Sequence, residues 1–279
     1  MRRRLALALV AWSLGCASSL ETSVSPVRVA AQRSLETAHT AFEQRAWRAA
    51  ARSFGRAADA FAALDEISPE ASAWRSQAEA LRRAGDEEGA ERAGARALVL
   101  DRQRGVPEDV ARDLVGLARA AAARGDAGLA VARAEEALSL APPASPLATL
   151  VQNDLAVYLL ARGDAADRTR AASLLGAALA EATARGDAAG IAAAELNLAR
   201  TALAGGDPDA AAPRLDRALA GYRGLEDPEG IASTHEVLAA LARTRGDESL
   251  AAFHRGQAWA GFTFLDDRAA LARLAGETP

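Results

Sequence analysis

Lysine is absent from this chain: all 33 basic residues are arginine. The absence excludes chemistry. A Walker A loop places a lysine on the nucleotide phosphates, and the protein-kinase signature needs one too. Schiff-base and pyridoxal chemistry need an amine nucleophile. Cysteine is reduced to Cys16, which leaves no zinc-finger spacing. The three histidines, His39, His235 and His254, include no i, i+4 pair, and "THEVLA" at 234–239 lacks the second histidine of a zinc-protease helix. They read as helix-surface residues. The chain also lacks a basic block beyond Arg2–Arg4. Its formal charge of −4 becomes more negative when those three leave with a leader, a poor balance for binding nucleic acid. Aromatics supply only 4% of residues while half the chain is hydrophobic. Alanine makes up much of that half, and as the best helix former it favours helix over sheet.

The first residues, "MRRRLALALVAWSLGCASS", read as a targeting segment. Arg2–Arg4 form a positive start, and Leu5–Leu14 form an apolar run too short to span a bilayer. Ser13-Leu14-Gly15-Cys16 resembles the lipobox of bacterial lipoproteins, with Ser13 where that family usually has leucine. The resemblance implies cleavage after residue 15, lipid on Cys16 and a signal peptide over 1–15. The same letters also fit an ordinary secretory leader cut after Ala17. The polar stretch "ASSLETSVSP" reads as part of a flexible tether over 16–30. Ala17 after the cysteine implies, by the family's sorting rule, delivery to the outer membrane, facing the periplasm.

From about residue 31 to residue 275 the chain repeats itself. Asp187, Asp227 and Asp267 are spaced by forty, and so are Gly206-Asp207 and Gly246-Asp247. Arg-Gly-Asp occurs at 124–126, 162–164, 185–187 and 245–247. Adhesion receptors recognise this tripeptide, but the spacing gives it a plainer role. Glycine takes the left-handed conformation that ends a helix, aspartate caps the next one, and arginine suits the last turn's dipole. The tripeptide reads as punctuation between helices.

These units resemble the tetratricopeptide repeat (TPR). In "AWRSQAEALRRAGDEEGAERAGARALVLD", Trp74, Ala78, Leu81, Gly85-Asp86, Ala90, Ala97 and Leu98 fall at that family's spacings. The pattern returns with Leu117, Ala118, Gly125-Asp126 and Ala130, and again around Gly163-Asp164, Gly206-Asp207 and Gly246-Asp247. A weaker first unit carries Ala38, Trp47, Ala50, Phe54 and Ala57, with Arg45-Ala46 in place of Gly-Asp. The resemblance implies an all-α, right-handed superhelical solenoid of about six helix–turn–helix repeats with a C-terminal capping helix. Arg102–Asp109 reads as an insertion between the second and third units. Pro213 implies either a helix starting nearer Asp209 or a kink. Trp259, Phe262 and Phe264 read as core under the terminal cap.

The family lines its concave face with chosen positions of each first helix. Carried over, these are Arg75, Glu79, Arg82, Arg112, Val115, Arg119, Asn153, Arg200 and Arg243. A row of guanidinium groups suits an acidic segment or a free carboxylate of a partner protein. Adjacent carboxylates at 87–88, 135–136 and 266–267 face different directions on a helix and read as caps and solvated faces. No catalytic constellation and no cofactor or metal site emerges. The expectation is a non-enzymatic interaction scaffold, an envelope lipoprotein that helps assemble an outer-membrane machine. The alternative is a cytoplasmic sensor or regulator that binds a peptide.

Overall fold

The computed structural model describes residues 25–276; the leader and Cys16 lie outside them. The described residues form thirteen helices: α1 (Pro26–Glu43), α2 (Trp47–Ala62), α3 (Ile67–Arg83), α4 (Glu87–Arg104), α5 (Pro107–Ala123), α6 (Ala127–Leu140), α7 (Pro146–Arg162), α8 (Ala165–Arg185), α9 (Ala188–Ala204), α10 (Pro208–Gly224), α11 (Pro228–Thr244), α12 (Glu248–Leu265) and α13 (Arg268–Gly276). They pack as six consecutive hairpins followed by α13. None of them is long and apolar enough to cross a membrane.

Every joint between consecutive described helices holds one residue with positive φ. Inside hairpins it is Gly85, Gly125, Gly163, Gly206 or Gly246, and between hairpins Gly105 or Gly186. Arg45, Asp65, Ala144, Glu226 and Asp266 fill the same position without glycine, at φ between 52° and 58°. The aspartate that follows acts twice. The Asp126 N–H donates to the Ala121 carbonyl at 3.0 Å and closes α5, while its carboxylate accepts from the Leu129 N–H at 3.0 Å and opens α6. Asp86, Asp187, Asp207, Asp247 and Asp267 cap in the same way. A carboxylate spent on backbone amides is not presented for adhesion. At the 163–164 joint Asp164 makes no side-chain cap, and Arg162 instead grips Asp167 with two bonds of 2.7 Å.

Several sequence expectations need correction. Helix α1 starts at Pro26, behind Ser25 as N-cap, so residues 26–30 belong to the array and not to the tether. Residues 102–109 are no insertion: α4 runs to Arg104 and α5 starts at Pro107. The first helices of successive units start at residues 26, 67, 107, 146, 188 and 228, so a period near forty is kept by long helices and short joints. Helix α10 starts at Pro208 and continues through Pro213, giving up only the bond residue 213 would donate to the Asp209 carbonyl.

The core is a line of small clusters, each shared by neighbouring hairpins. Alanines at the crossings, among them Ala57, Ala97, Ala118, Ala137, Ala178 and Ala218, are 0–1% exposed. Their small size lets helix axes approach, and Leu155, Leu159, Leu175 and Leu215 fill the grooves, each fully buried and contributing about 2 kcal/mol. At Gly261 an added Cβ would stand 2.7 Å from that of Ala232. Helix α13 covers the end of the array through Ala270 and Leu274 against Phe262. Of the three late aromatics only Phe262 seals this end; Trp259 and Phe264 are 45% and 66% exposed.

The joints yield a prediction. Glu226 is exposed and held at φ 52°, where a side chain is strained by about 1–2 kcal/mol. Glu226→Gly relieves that strain but adds unfolded-state freedom, a net gain of about 0.5–1 kcal/mol. Its thermal midpoint should rise by roughly 1–3 °C. An unchanged or lower midpoint would mean that the joint is not strained.

Candidate functional site

The first helices of the hairpins also touch one another: α3 meets α5, α5 meets α7, α7 meets α9 and α9 meets α11. Together they form the inner wall of the solenoid. The wall curves far enough for the ends to meet. Arg83 at the end of α3 bonds Glu229 in the first turn of α11 at 3.0 Å. Arg45 bonds the Phe264 carbonyl and lies 4.4 Å over its ring.

The expected row of free guanidinium groups is instead a set of mostly internal pairs. Arg75 turns into the protein, bonding Asp101 and, at 2.6 Å, Asp113. These carboxylates are 0% and 1% exposed. Burial pushes the Asp113 carboxyl well above the usual range; Arg75 opposes this and Asp101 adds to it. Arg75 therefore holds buried charge between α3, α4 and α5. Arg112 is exposed and binds Asp109 and Glu108 on its own helix. Val115 does not face the groove at all: it is 6% exposed, inside the α5–α8 core. The carried-over family position put it on the inner face, but it packs beside Leu114 and Ala118 in that core.

The other predicted residues lie on the first helices α3, α5, α7 and α11, and most are held by partners there. Burial would raise the Glu79 carboxyl, but Arg82 and Arg83 outweigh it and hold it below the usual range. Both arginines bond it at 2.7–2.8 Å. Arg119 bonds Asp154 of α7 at 2.9 Å. Asn153 is buried; its amide donates to the Thr149 carbonyl, and its oxygen accepts from Asn197 of α9 at 3.3 Å. Arg243 lies, partly buried, in the last turn of α11.

Arg200 differs from these. Its guanidinium donates to Asn197 Oδ1 at 2.9 Å, and no carboxylate of the described residues stands within ion-pair distance. Desolvation pushes this arginine below its ordinary range, with Glu236 the main opposing charge. It forms part of the wall of two cavities. One, of about 340 Å³, is lined by Asp154, Tyr158, Asn197 and Tyr222; the other, of about 550 Å³, by Val157, Leu203, Glu236 and Arg273. Tyr222 can lie along α11 only because residue 230 is glycine, where a Cβ would fall 2.1 Å from the ring. Tyr158, Asn197 and Tyr222 were missed in the sequence. Asn197 could have been found from its place one turn before Arg200 on a first helix. The buried tyrosines carry no such signal.

No family model and no curated protein matches the chain. Solved structures do. A Rap protein complexed with competence and sporulation factor aligns with a TM-score of 0.65 at 14% identity, over 91% of this chain and 75% of that one. PilW, a widely conserved type IV pilus biogenesis factor, aligns at 0.58 and 17% identity, over 88% and 98%. The nearly identical TPR-like repeats of a Podosopora anserina kinesin light chain align at 0.57 and 19%, over 73% and 99%. The fold is a tetratricopeptide-like helical solenoid. At these identities the likeness is one of fold.

A second cluster lies in the last hairpin of this TPR-like array. His235 on α11 and His254 on α12 bring their Nδ1 atoms to 3.0 Å, with rings stacked 5.2 Å apart. His235 is buried, which corrects the surface reading. Desolvation, then His254 and Arg223, lower it to about 4, and desolvation lowers His254. Among the described residues no third metal-binding side chain joins them.

A pair of depressed histidines has a definite pH signature. The unfolded chain binds their protons near pH 6.5, while the folded chain resists until about pH 4 at His235. Their contribution is complete above pH 6.5 and is lost as pH falls through that window. The raised Asp113 carboxyl acts with the opposite sign, so the difference between wild type and His235→Gln isolates the effect. From pH 7 to pH 5 the wild type should lose about 1–2 kcal/mol relative to the variant in urea unfolding. Parallel pH profiles would contradict the pairing.

Proposed function

We propose that this TPR-like array is a lipid-anchored binding scaffold of the bacterial envelope. Its inner groove takes an extended segment of a partner protein, whose carboxylate sits on Arg200. The observation that carries the binding site is a half-buried guanidinium that lines both cavities and, among the described residues, has Asn197 but no carboxylate as partner. A cation that has lost much of its water without gaining a carboxylate is left undercompensated, and an incoming carboxylate restores the balance through charge-assisted bonds. Tyr158 and Tyr222, both nearly buried, form the floor of the same cavity beside it. Two of the structural relatives accord with this reading: one is complexed with a factor and one serves pilus biogenesis. The lipobox-like Ser13–Cys16 supports the anchor, and Ala17 supports the outer membrane. Neither cofactor nor catalysis enters this role.

The likeness to the Rap protein favours a second reading, a cytoplasmic regulator that binds its peptide in the same groove. The two differ at Cys16. In the native host, the envelope reading expects a chain beginning at Cys16 with lipid-sized added mass, and detergent-phase partitioning that Cys16→Ser abolishes. An unmodified chain starting near Met1 would establish the regulator instead, and cleavage after Ala17 a soluble exported scaffold.

The groove is tested with a fluorescent peptide panel compared as free carboxylates and as amides. Acidic or carboxylate-ended peptides should bind, and Arg200→Ala should weaken them roughly thirtyfold, ~2 kcal/mol. Equal binding by the variant would remove Arg200 from the site.

A further inference from the structure

The meeting of the two ends forms another cavity, of about 710 Å³, whose wall does not include Arg200. Its wall comes from the start of α2, the α3–α4 joint, the ends of α5 and α12, the first turn of α11, and α13. Seven arginines and four acidic residues line it. Most of these charges already have work inside the protein. Arg82 and Arg83 are held by Glu79, and Arg83 also by Glu229. Arg273 is held by Glu236, and Arg45 by the Phe264 carbonyl. Arg268 stands 3.5 Å from Asp266, and Asp267 caps α13.

Arg48 and Arg52 remain. They lie one turn apart on α2, exposed to the cavity, with no hydrogen-bond or ion-pair partner among the described residues. The one acid left over is Glu87, whose Oε2 is buried without a partner.

We propose that this cavity binds a small dianion, a phosphate or phosphate ester, on Arg48 and Arg52. Two uncompensated guanidinium groups match a doubly charged ligand, and their planar forks suit phosphate oxygens. A single peptide carboxylate would leave one of them unmatched. The volume suits a small molecule, and Trp47, Ala84 and Leu265 on the wall give an ester's organic part an apolar surface. Burial raises the Glu87 carboxyl, which weakens the one acid left to oppose an anion here. The wall belongs to both ends of the array, so an occupied site ties them together. The site shares Arg273 with the cavity beside Arg200, but the phosphate sits on Arg48 and Arg52 and not on Arg200.

The test is thermal melting of the full chain with inorganic phosphate, pyrophosphate and phenyl phosphate, at ionic strength fixed with sodium chloride and with acetate as reference anion. At a hundredfold excess over Kd the phosphates should raise the midpoint by about 5 °C. Arg200→Ala should keep that shift. The double variant Arg48→Gln/Arg52→Gln should lose it while melting normally without ligand, because both side chains are exposed and unpaired. No shift in the wild type up to millimolar phosphate would overturn the proposal. So would an equal shift in the double variant, or the same shift with acetate.

Discussion

The array depends on one backbone constraint, the left-handed residue at every joint of the described chain. With φ between 52° and 86°, that residue turns the chain back so that the next helix lies antiparallel to the last. The following residue's N–H reaches a carbonyl five positions back at most joints, as in Asp86 to Leu81 at 2.9 Å and Asp247 to Ala242 at 3.0 Å. This bond forms with or without glycine: Ala46 donates to Ala41 after Arg45, and Asp227 to Tyr222 after Glu226. The hydrogen-bonded geometry is therefore the fixed element, and glycine is the residue that reaches it at least cost. Hairpin register follows from it. His235 and His254 face each other across the α11–α12 hairpin that turns at Gly246.

Charge gives the hairpins a second kind of contact. With no lysine, each cation is a planar fork, and many reach a carboxylate on a neighbouring helix. Arg170 meets Glu135, Arg102 meets Glu136, Arg133 meets Glu91 and Arg273 meets Glu236, partners about one repeat apart in sequence. Each exposed pair contributes little. Arg75 is different, because Asp101 and Asp113 are buried and its loss would leave their charge poorly compensated. Against so many matched partners, arginines without one carry information. Arg200 within the groove and Arg48 with Arg52 at the closure are such places.

The fold was legible because its signals are local. Gly-Asp pairs, alanines at crossings and a period near forty can be read without knowing which hairpin meets which. The site was legible only in part. Glu79, Arg82, Arg119 and Arg200 follow from the family's first-helix positions and lie on α3, α5 and α9, where Arg200 lines two cavities. Val115 was placed on the inner face wrongly, and Asn153 is buried between helices, because a few degrees of helix rotation decide which neighbour covers a side chain. Arg83 and Glu229 are 146 residues apart. No local pattern pairs them; only the accumulated curvature of the intervening units does.

That curvature changes the physics of the array. An open solenoid is nearly one-dimensional, each repeat stabilised by its neighbours alone, so its ends fray independently of its middle. Here Arg83 with Glu229, and Arg45 with Phe264, connect the second and the first hairpin to the sixth. These contacts are exposed and individually weak, yet they link segments that otherwise communicate only through four or more intervening interfaces. A small free energy at the closure, or in a ligand held there, therefore acts on both ends at once and on the groove between them. The curvature brings Arg48 and Arg52 to the same cavity as α13.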